Sequence, residues 1–357
     1  MVEIESTPTL ALPLKGRKFS SGSSAKRNTP SPSGGRLGWG WLIVSLLALF
    51  SAVALAAEAR FPDRPVRLIV PFPPGGVNDI ASRLVANQLN TLWSRPVIVD
   101  NRGGAAGNIG AEIAAKANPD GYTLFIVSSS ITSNAGIYPK LPFDLHRDFA
   151  AISMLVSGAY VLVVHPSVPA ASAQELIQLA KAQPGKLNFS SFGEGSSAHL
   201  VAEWFRRVAG IDLTHVPYKG GGPAMAAVAS GEVQMTFANV SVALPQVKAG
   251  RLKALAVTSL RRKEALPAVP SLDEVGLKGF DANAWVGLLA PARTPQSLIA
   301  RLNSDVRAVL SDAQLRQQLE TRGLEAAPST PEALARHIAV EIDRWGKVGK
   351  EAGVKLD

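Results

Sequence analysis

Apolar positions along this chain recur with two periods that take turns. VRLIVPF (66–72), PVIVD (96–100) and YTLFIVSS (122–129) are short runs rich in β-branched and aromatic residues, the pattern of buried strands. Between the first two, Ile80, Leu84, Val85, Leu89 and Leu92 share one face of a helix running from Asp79 to about Trp93. Between the second and third, NRGGAAGNIG (101–110) is a glycine-rich turn that leads into a helix at 111–117, and NPDG (118–121) is a turn. The order β-α-β-α-β predicts an open parallel sheet.

A second set follows. Its strands are YVLVVHP (160–166), KLNFSS (186–191), LTHVPY (213–218), VQMTFAN (233–239) and LKALAVTS (252–259). Its helices are 173–182, capped by Ser172, then 198–208, one after KGGGP, and a short one that stops at Gly250. After NAWVGLLAP (283–291) come helices at about 295–310, 312–322 and 331–352. The pattern predicts an α/β protein with two lobes, each a mostly parallel sheet flanked by helices. Lobe one is 60–160 with 285–357, and lobe two is 161–284. AYVLVVHP (159–166) and FDANAWVGLLAP (280–291) are the two expected hinge strands.

The first sixty residues belong to neither set. Residues 1–35 are basic and rich in Ser, Pro and Gly, with no hydrophobic period, and read as a disordered leader. Arg36 then precedes an apolar core from Leu42 to Leu55, with small residues at Ala54/Ala56 and Ala57/Ala59. This is the layout of a secretory signal peptide cleaved after Ala56 or Ala59, the alternative being an uncleaved membrane anchor over Trp39–Ala57, a length marginal for a bilayer span. The chain has no cysteine, which excludes disulfides, zinc–thiolate sites, thiol catalysis and a lipoprotein anchor. A soluble periplasmic protein is expected. Of the net charge of +9, three charges lie in residues 1–59, and the rest is mild and scattered, with no basic helix and no Lys/Arg run interleaved with aromatics, so no nucleic-acid partner is expected.

Candidate chemistry gathers at the carboxyl ends of predicted strands, where open α/β sheets bind ligands. In FPPGGVND, Phe72 closes a strand, and Gly75 and Gly76 let backbone N–H groups approach a ligand. Asn78 or Asp79 caps the next helix, whose N-terminus favours an anion. A GK[ST] phosphate loop is absent. Ser129 and Ser130 lie in a small-residue turn at 128–133. In SSFGEGSSAHL, Ser191, Ser196 and Ser197 read either as a clamp on a ligand's polar end or as helix caps, and His199 as a contact or a packed side chain. Asn239 ends a strand with an amide able to donate and accept. Lys219 either adds positive potential at a cleft rim or is solvated. The five histidines have no metal-ligand spacing, and neither a G-x-S-x-G elbow nor a paired-carboxylate turn occurs. No cofactor, metal or catalytic activity is expected.

VRLIVPFPPGGVNDIASRL, RPVIVDNRGGAAGNIGAEIAAKANPDGYTL, YPKLPFD, HVPYKGGGPAMAAVASGEVQMTFAN and VKAGRLKALAVTS follow in the order and spacing of one family. From Phe61 to Val348 the chain resembles the Bug (TctC-like) substrate-binding proteins of tripartite tricarboxylate transporters. The resemblance implies a type II periplasmic binding protein, a Venus flytrap that closes on a small carboxylate held by two lobe-one turns and ordered waters. It also implies delivery to integral membrane permease subunits or, in the rival reading, to a sensor domain. A monomer is expected. A carboxylate-processing hydrolase is the second rival, and it lacks a nucleophile–base motif. The chain departs from the family pattern at Ala238, where an acidic residue is common, and at Phe192 and Glu194. Those positions face the ligand's variable end in the family. They point to a monocarboxylate with an apolar or aromatic body.

Overall fold

The computed structural model describes residues 61–354. The expected leader and signal peptide lie outside them. Among the described residues, no helix is long and apolar enough to cross a membrane.

β1 (Val66–Val70) lies between β2 (Val97–Asn101) and β3 (Thr123–Ser128), and both pairings are parallel. α1 (Val77–Trp93), α2 (Asn108–Ala115) and α3 (Ser129–Ile137) each follow one of these strands. β3 then pairs antiparallel with β9 (Asn283–Pro291), and β9 with the first part of β4 (Phe149–Val164). The second half repeats the plan. β5 (Asn188–Ser191) lies between β6 (Thr214–Pro217) and β7 (Met235–Asn239), all parallel. β7 and β8 (Lys253–Val257) pair antiparallel with the end of β4. α4 (Ala173–Ala182), α5 (Ser197–Ala209), α6 (Gly221–Ala229) and α7 (Val240–Lys248) flank this half. α8 (Gln296–Leu310), α9 (Ala313–Glu320), β10 (Leu324–Ala326) and α10 (Pro331–Glu351) complete the chain.

The inner strands of both sheets are buried on both faces, so side chains two apart share a core. Leu68, Val70, Leu124 and Ile126 pack with Val85 and Leu89 of α1 and Leu302 and Val306 of α8. Ile69, Phe125 and Val127 pack on the other face with Leu334 and Ile338 of α10. In the second half, Tyr160, Leu162, Phe189 and Phe237 share one core, and Val161, Val163, Ala238 and Val257 the other.

The sheets are mixed rather than mostly parallel, because periodicity reveals burial and not strand direction. β4 begins at Phe149, eleven residues before the expected start at Tyr160. Ser153, Ser157 and Gly158 break its apolar run, and its register slips between Ala151 and Ser153 and between Met154 and Val156. α3 reads in sequence as a turn because Ser129 to Asn134 are buried on all sides, which erases any apolar stripe. The short β10 also has no sequence signal.

α3 is held by α10. A carbon added at Gly136 would lie 2.5 Å from the Ile342 carbonyl and 2.8 Å from the Gly346 nitrogen, so the two helix backbones touch. Gly136→Val is expected to force them apart. Overpacking costs about 1–3 kcal/mol, and each kcal/mol is roughly 2–4 °C of melting temperature in a chain of this size. A thermal melt checks this. An unchanged melting temperature would mean the crossing has slack.

Candidate functional site

Five helices begin at one small cavity between the two halves. α1 starts after Gly76, α3 after Ser128, α5 after Ser196, α6 after Gly220 and α7 after Asn239. The first half lines the cavity with Phe72, Gly76, Val77, Asn78 and Ser128 to Ser130. The second lines it with Phe192, Ser197, Gly221 and Asn239, and Tyr160 stands on the shared strand. None of these described lining residues is charged. Positive potential comes from the helix ends, where first-turn N–H groups have no partner inside the helix. Gly76, Ser128, Gly220 and Asn239 make no side-chain cap, which leaves those donors to the cavity. Only Ser196 caps, accepting from His199 N–H at 3.4 Å.

The turn before α1 is braced from outside the cavity. Its N-cap is Gly76, and neither Asn78 nor Asp79 caps as the sequence suggests, because both lie inside the first turn. The Asp79 carboxylate accepts from Gly75 N–H at 3.0 Å, Arg83 at 2.9 Å and Asn101 at 3.1 Å. Burial pushes its pKa up, but the bonds from Arg83, Gly75 and Asn101 outweigh this, and it sits below the usual carboxylate value. Asn101 also donates to the Phe72 carbonyl at 3.0 Å, which ties the end of β2 to the turn. The Asn78 amide donates to Ser128 Oγ at 3.2 Å and leaves its oxygen buried without a partner. That oxygen only accepts, so a hydroxyl or a water can satisfy it and a carboxylate cannot.

Hydroxyls join the halves. Tyr160 donates to Ser197 Oγ at 2.5 Å and shares a bond with Ser129 at 2.9 Å. Ser197 also meets Ser130 at 2.9 Å, and its N–H donates to Ser130 Oγ at 3.3 Å. Burial pushes the Tyr160 phenol up to about 12, so it stays protonated and able to donate. With the halves joined in this way the cavity holds about 20 Å³, room for about one water molecule. Nothing much larger than a water fits while the halves stand this close.

Of the residues expected at the site, Phe72, Gly76, Asn78, Ser129, Ser130 and Asn239 meet at the cavity, and Gly75, Asp79, Ser191, Ser196, His199 and Ala238 do not line it. Gly75 and Asp79 bond each other, and Ser196 is a helix cap. Ser191 bonds His215 Nε2 at 2.6 Å. The His199 ring stacks on that of His215 at 3.8 Å and is buried in the second half. Ala238 alternates with Asn239 along β7 and faces the apolar core, and Glu194 is exposed. Of the three departures read as facing the ligand's variable end, only Phe192 lines the cavity. Sequence reasoning left out Val77, Ser128, Tyr160 and Gly221 and counted Ser197 only as a clamp or cap. Ser128 and Gly221 carry a legible signal, a small polar residue or glycine where a strand hands over to a helix. Tyr160 carries none, standing within an apolar run. Among the described residues, no group of three or more His, Asp or Glu is placed to hold a metal.

Comparison with known proteins places this geometry. Residues 81–354 match the model of the tripartite tricarboxylate transporter family receptor. The chain is 36% identical to protein BugT of Bordetella pertussis over 320 residues, 88% of this chain and 98% of that one. It is similar to the structure of Rpa4515 from R. palustris with adipate, with a TM-score of 0.80 and 35% identity over 82% of this chain and 98% of that one. It is also similar to MatC from Rhodopseudomonas palustris with bound malate, with a TM-score of 0.77 and 31% identity over 81% and 99% of the two chains. The mixed α/β sheets described above are the fold of these structures.

Proposed function

The chain belongs to the tripartite tricarboxylate transporter family receptors, periplasmic solute-binding proteins of the Bug/TctC type, and from that premise we propose that it captures a small carboxylate between its halves and delivers it to membrane permease subunits. One observation carries this reading: five helix N-termini meet at a cavity with no charged side chain. A carboxylate there replaces water with several backbone donors, and charge-assisted bonds of this kind are about twice as strong as neutral ones. Adipate and malate in the two neighbouring structures support a carboxylate as the ligand class. The family is a solute-binding class, and no catalytic step enters this reading.

In this reading the two halves are lobes, 60–160 with 285–357 and 161–284. The hinge is where β4 and the approach to β9 leave one sheet for the other. Thr258 supports that assignment, because its hydroxyl donates to Ala282 O at 2.6 Å and accepts from Tyr160 N–H at 3.0 Å, tying both crossings together. Ligand contacts to both lobes favour the closed form. The export signal is cleaved after Ala56 or Ala59, which N-terminal sequencing of periplasmic protein tests.

The test of the ligand class is a thermal-shift series. Adipate or malate at about a hundred times its Kd stabilises the protein by about 2.7 kcal/mol, and the melting temperature rises accordingly. Their diamides, which have the same shape without the charge, leave it where it was. Equal shifts from acids and diamides would overturn the reading.

A further inference from the structure

The last helix belongs to neither half alone. Early in α10, Leu334 and Ile338 pack in a core of the first half. Further along, Trp345 is fully buried in a core of the second half, with Phe189 and Phe205. The α10 backbone touches α3 at Gly136, and a carbon added at Gly349 would overlap Ile137 of α3 and lie 3.9 Å from Leu200 of α5. Arg344 lies 5.5 Å from the centre of the Trp204 ring of α5, and Arg207 of α5 pairs with Glu351 at 3.1 Å. Glu341 stands where the helix passes from one core to the other, and its carboxylate is buried. One oxygen accepts from Trp285 Nε1 at 3.2 Å and from Trp345 Nε1 at 2.8 Å, and the other faces Arg344 at 3.6 Å. Arg344 also donates to the Asp281 carbonyl, on the approach to β9. There β9 pairs with β4, Asn283 beside Ala159. A buried carboxylate is stable only among such donors, so Glu341 ties α10 to the two strands that cross between the sheets.

We propose that α10 is a third crossing at the hinge, with Glu341 as its pin, and that the halves part at the far edge while Trp345 stays seated in the second half. The proposal rests on the two-lobe reading above and locates its motion. β2 and β6 stand at the two ends of the strand order, so the turns after them lie farthest from the β4–β9 crossing. Those turns, Gly104 to Gly107 and Tyr218 with Lys219, line one chamber of about 210 Å³ between the halves, which is the mouth. When rigid bodies turn about a hinge, contacts stretch in proportion to their distance from it. Glu341 beside the crossing keeps its bonds, and the mouth opens. A helix that moved with the first half alone would draw Trp345 out of its core and strip a buried carboxylate of its donors.

Two bridges test this, and because the chain has no cysteine the engineered thiols react alone. Ala105→Cys with Lys219→Cys puts one thiol on each wall of the mouth, and Arg207→Cys with Glu351→Cys puts one on each side of the α5–α10 seam. All four residues are exposed. Each pair is bridged with the same short bifunctional thiol reagent and compared with the same protein before bridging. Hydrogen–deuterium exchange without added ligand is followed in peptides covering 128–132 and 196–200, whose buried helix-end N–H groups meet solvent when the halves part. The mouth bridge should slow this exchange about tenfold or more by removing the open form, and the seam bridge should leave it within about twofold. Slowing by the seam bridge, alone or beside the mouth bridge, would overturn the pin and leave two moving lobes. Slowing by neither bridge would overturn both readings.

Discussion

Gly76→Val is expected to fold as the wild type does and to bind carboxylates about 10- to 100-fold more weakly. Gly76 has φ −83° and ψ 171°, ordinary extended backbone that any residue adopts. It is buried, yet a carbon added there meets nothing within 4 Å. The open space beside it is the cavity. Valine's three side-chain carbons would fill a space of about 20 Å³ and stand where the carboxylate meets the α1 N-terminus. Losing one charge-assisted bond costs about 1.5–3 kcal/mol, which sets the expected range. The stability cost is confined to the helix cap, where valine is worse than glycine by about 1 kcal/mol. Gly75 makes the contrast. Its φ of +88° strains any side chain, so substitution there disturbs the turn itself. Calorimetry with adipate or malate, beside a thermal melt, separates the two effects. A folded Gly76→Val protein with wild-type affinity would show that the carboxylate lies elsewhere.

What the sequence announces is whatever rests on local pattern. The β1–α1 unit is legible because Leu68 and Val70 alternate with Ile69 and because the α1 stripe has the helical period. The glycine turn before α1 is legible because backbone approach to a ligand needs residues without side chains. The part that escapes depends on partners far away in the chain. Tyr160 looks like any apolar strand residue until α3 and α5 bring Ser129 and Ser197 to its hydroxyl. Ala238 and Asn239 are neighbours in sequence but lie on opposite faces of β7, and only the pairing of Ala238 with Val161 reveals that Ala238 packs in the Val161–Val163 core, away from the cavity. His199 and Ser191 look like site residues by their position near a strand end. In the structure they lie off the cavity, where they stack and bond the inside of the second half.

That inside carries an acid sensitivity. Wild-type protein is expected to lose stability steeply below about pH 6, and His215→Phe to blunt the loss. His199 and His215 stack at 3.8 Å with rings 9° apart, and Phe189 stacks on His215 at 4.8 Å. Burial, then the charges of His215 and Arg206, hold His199 down to about 3, and burial holds His215 down to about 4. Geometry agrees for His199, whose Nδ1 accepts from Gly195 N–H at 3.2 Å and so carries no proton. The unfolded rings take up protons near the ordinary value of 6.5. Above that pH the neutral rings cost nothing, and as pH falls towards the folded values the unfolded chain binds more protons and gains on the fold. For His215 the full loss is on the order of 3 kcal/mol, at 1.36 kcal/mol per pH unit. Glu203, facing the stack beside Arg206, works the other way, because burial raises its carboxyl and acid relieves it. Asp79 and Asp100, both held low by bonds to arginine that outweigh burial, add to the acid loss. The difference between two proteins isolates the ring. Phenylalanine keeps the stack, and Ser191 keeps its bond to the Gly193 carbonyl at 3.0 Å. Melting temperatures from pH 7.5 to 4.5 should therefore converge or cross as pH falls, with His215→Phe losing less. Proton NMR of the wild type should show neither ring titrating above about pH 5. Parallel melting curves, or a ring that titrates near 6.5, would mean the stack opens to water and costs the fold nothing.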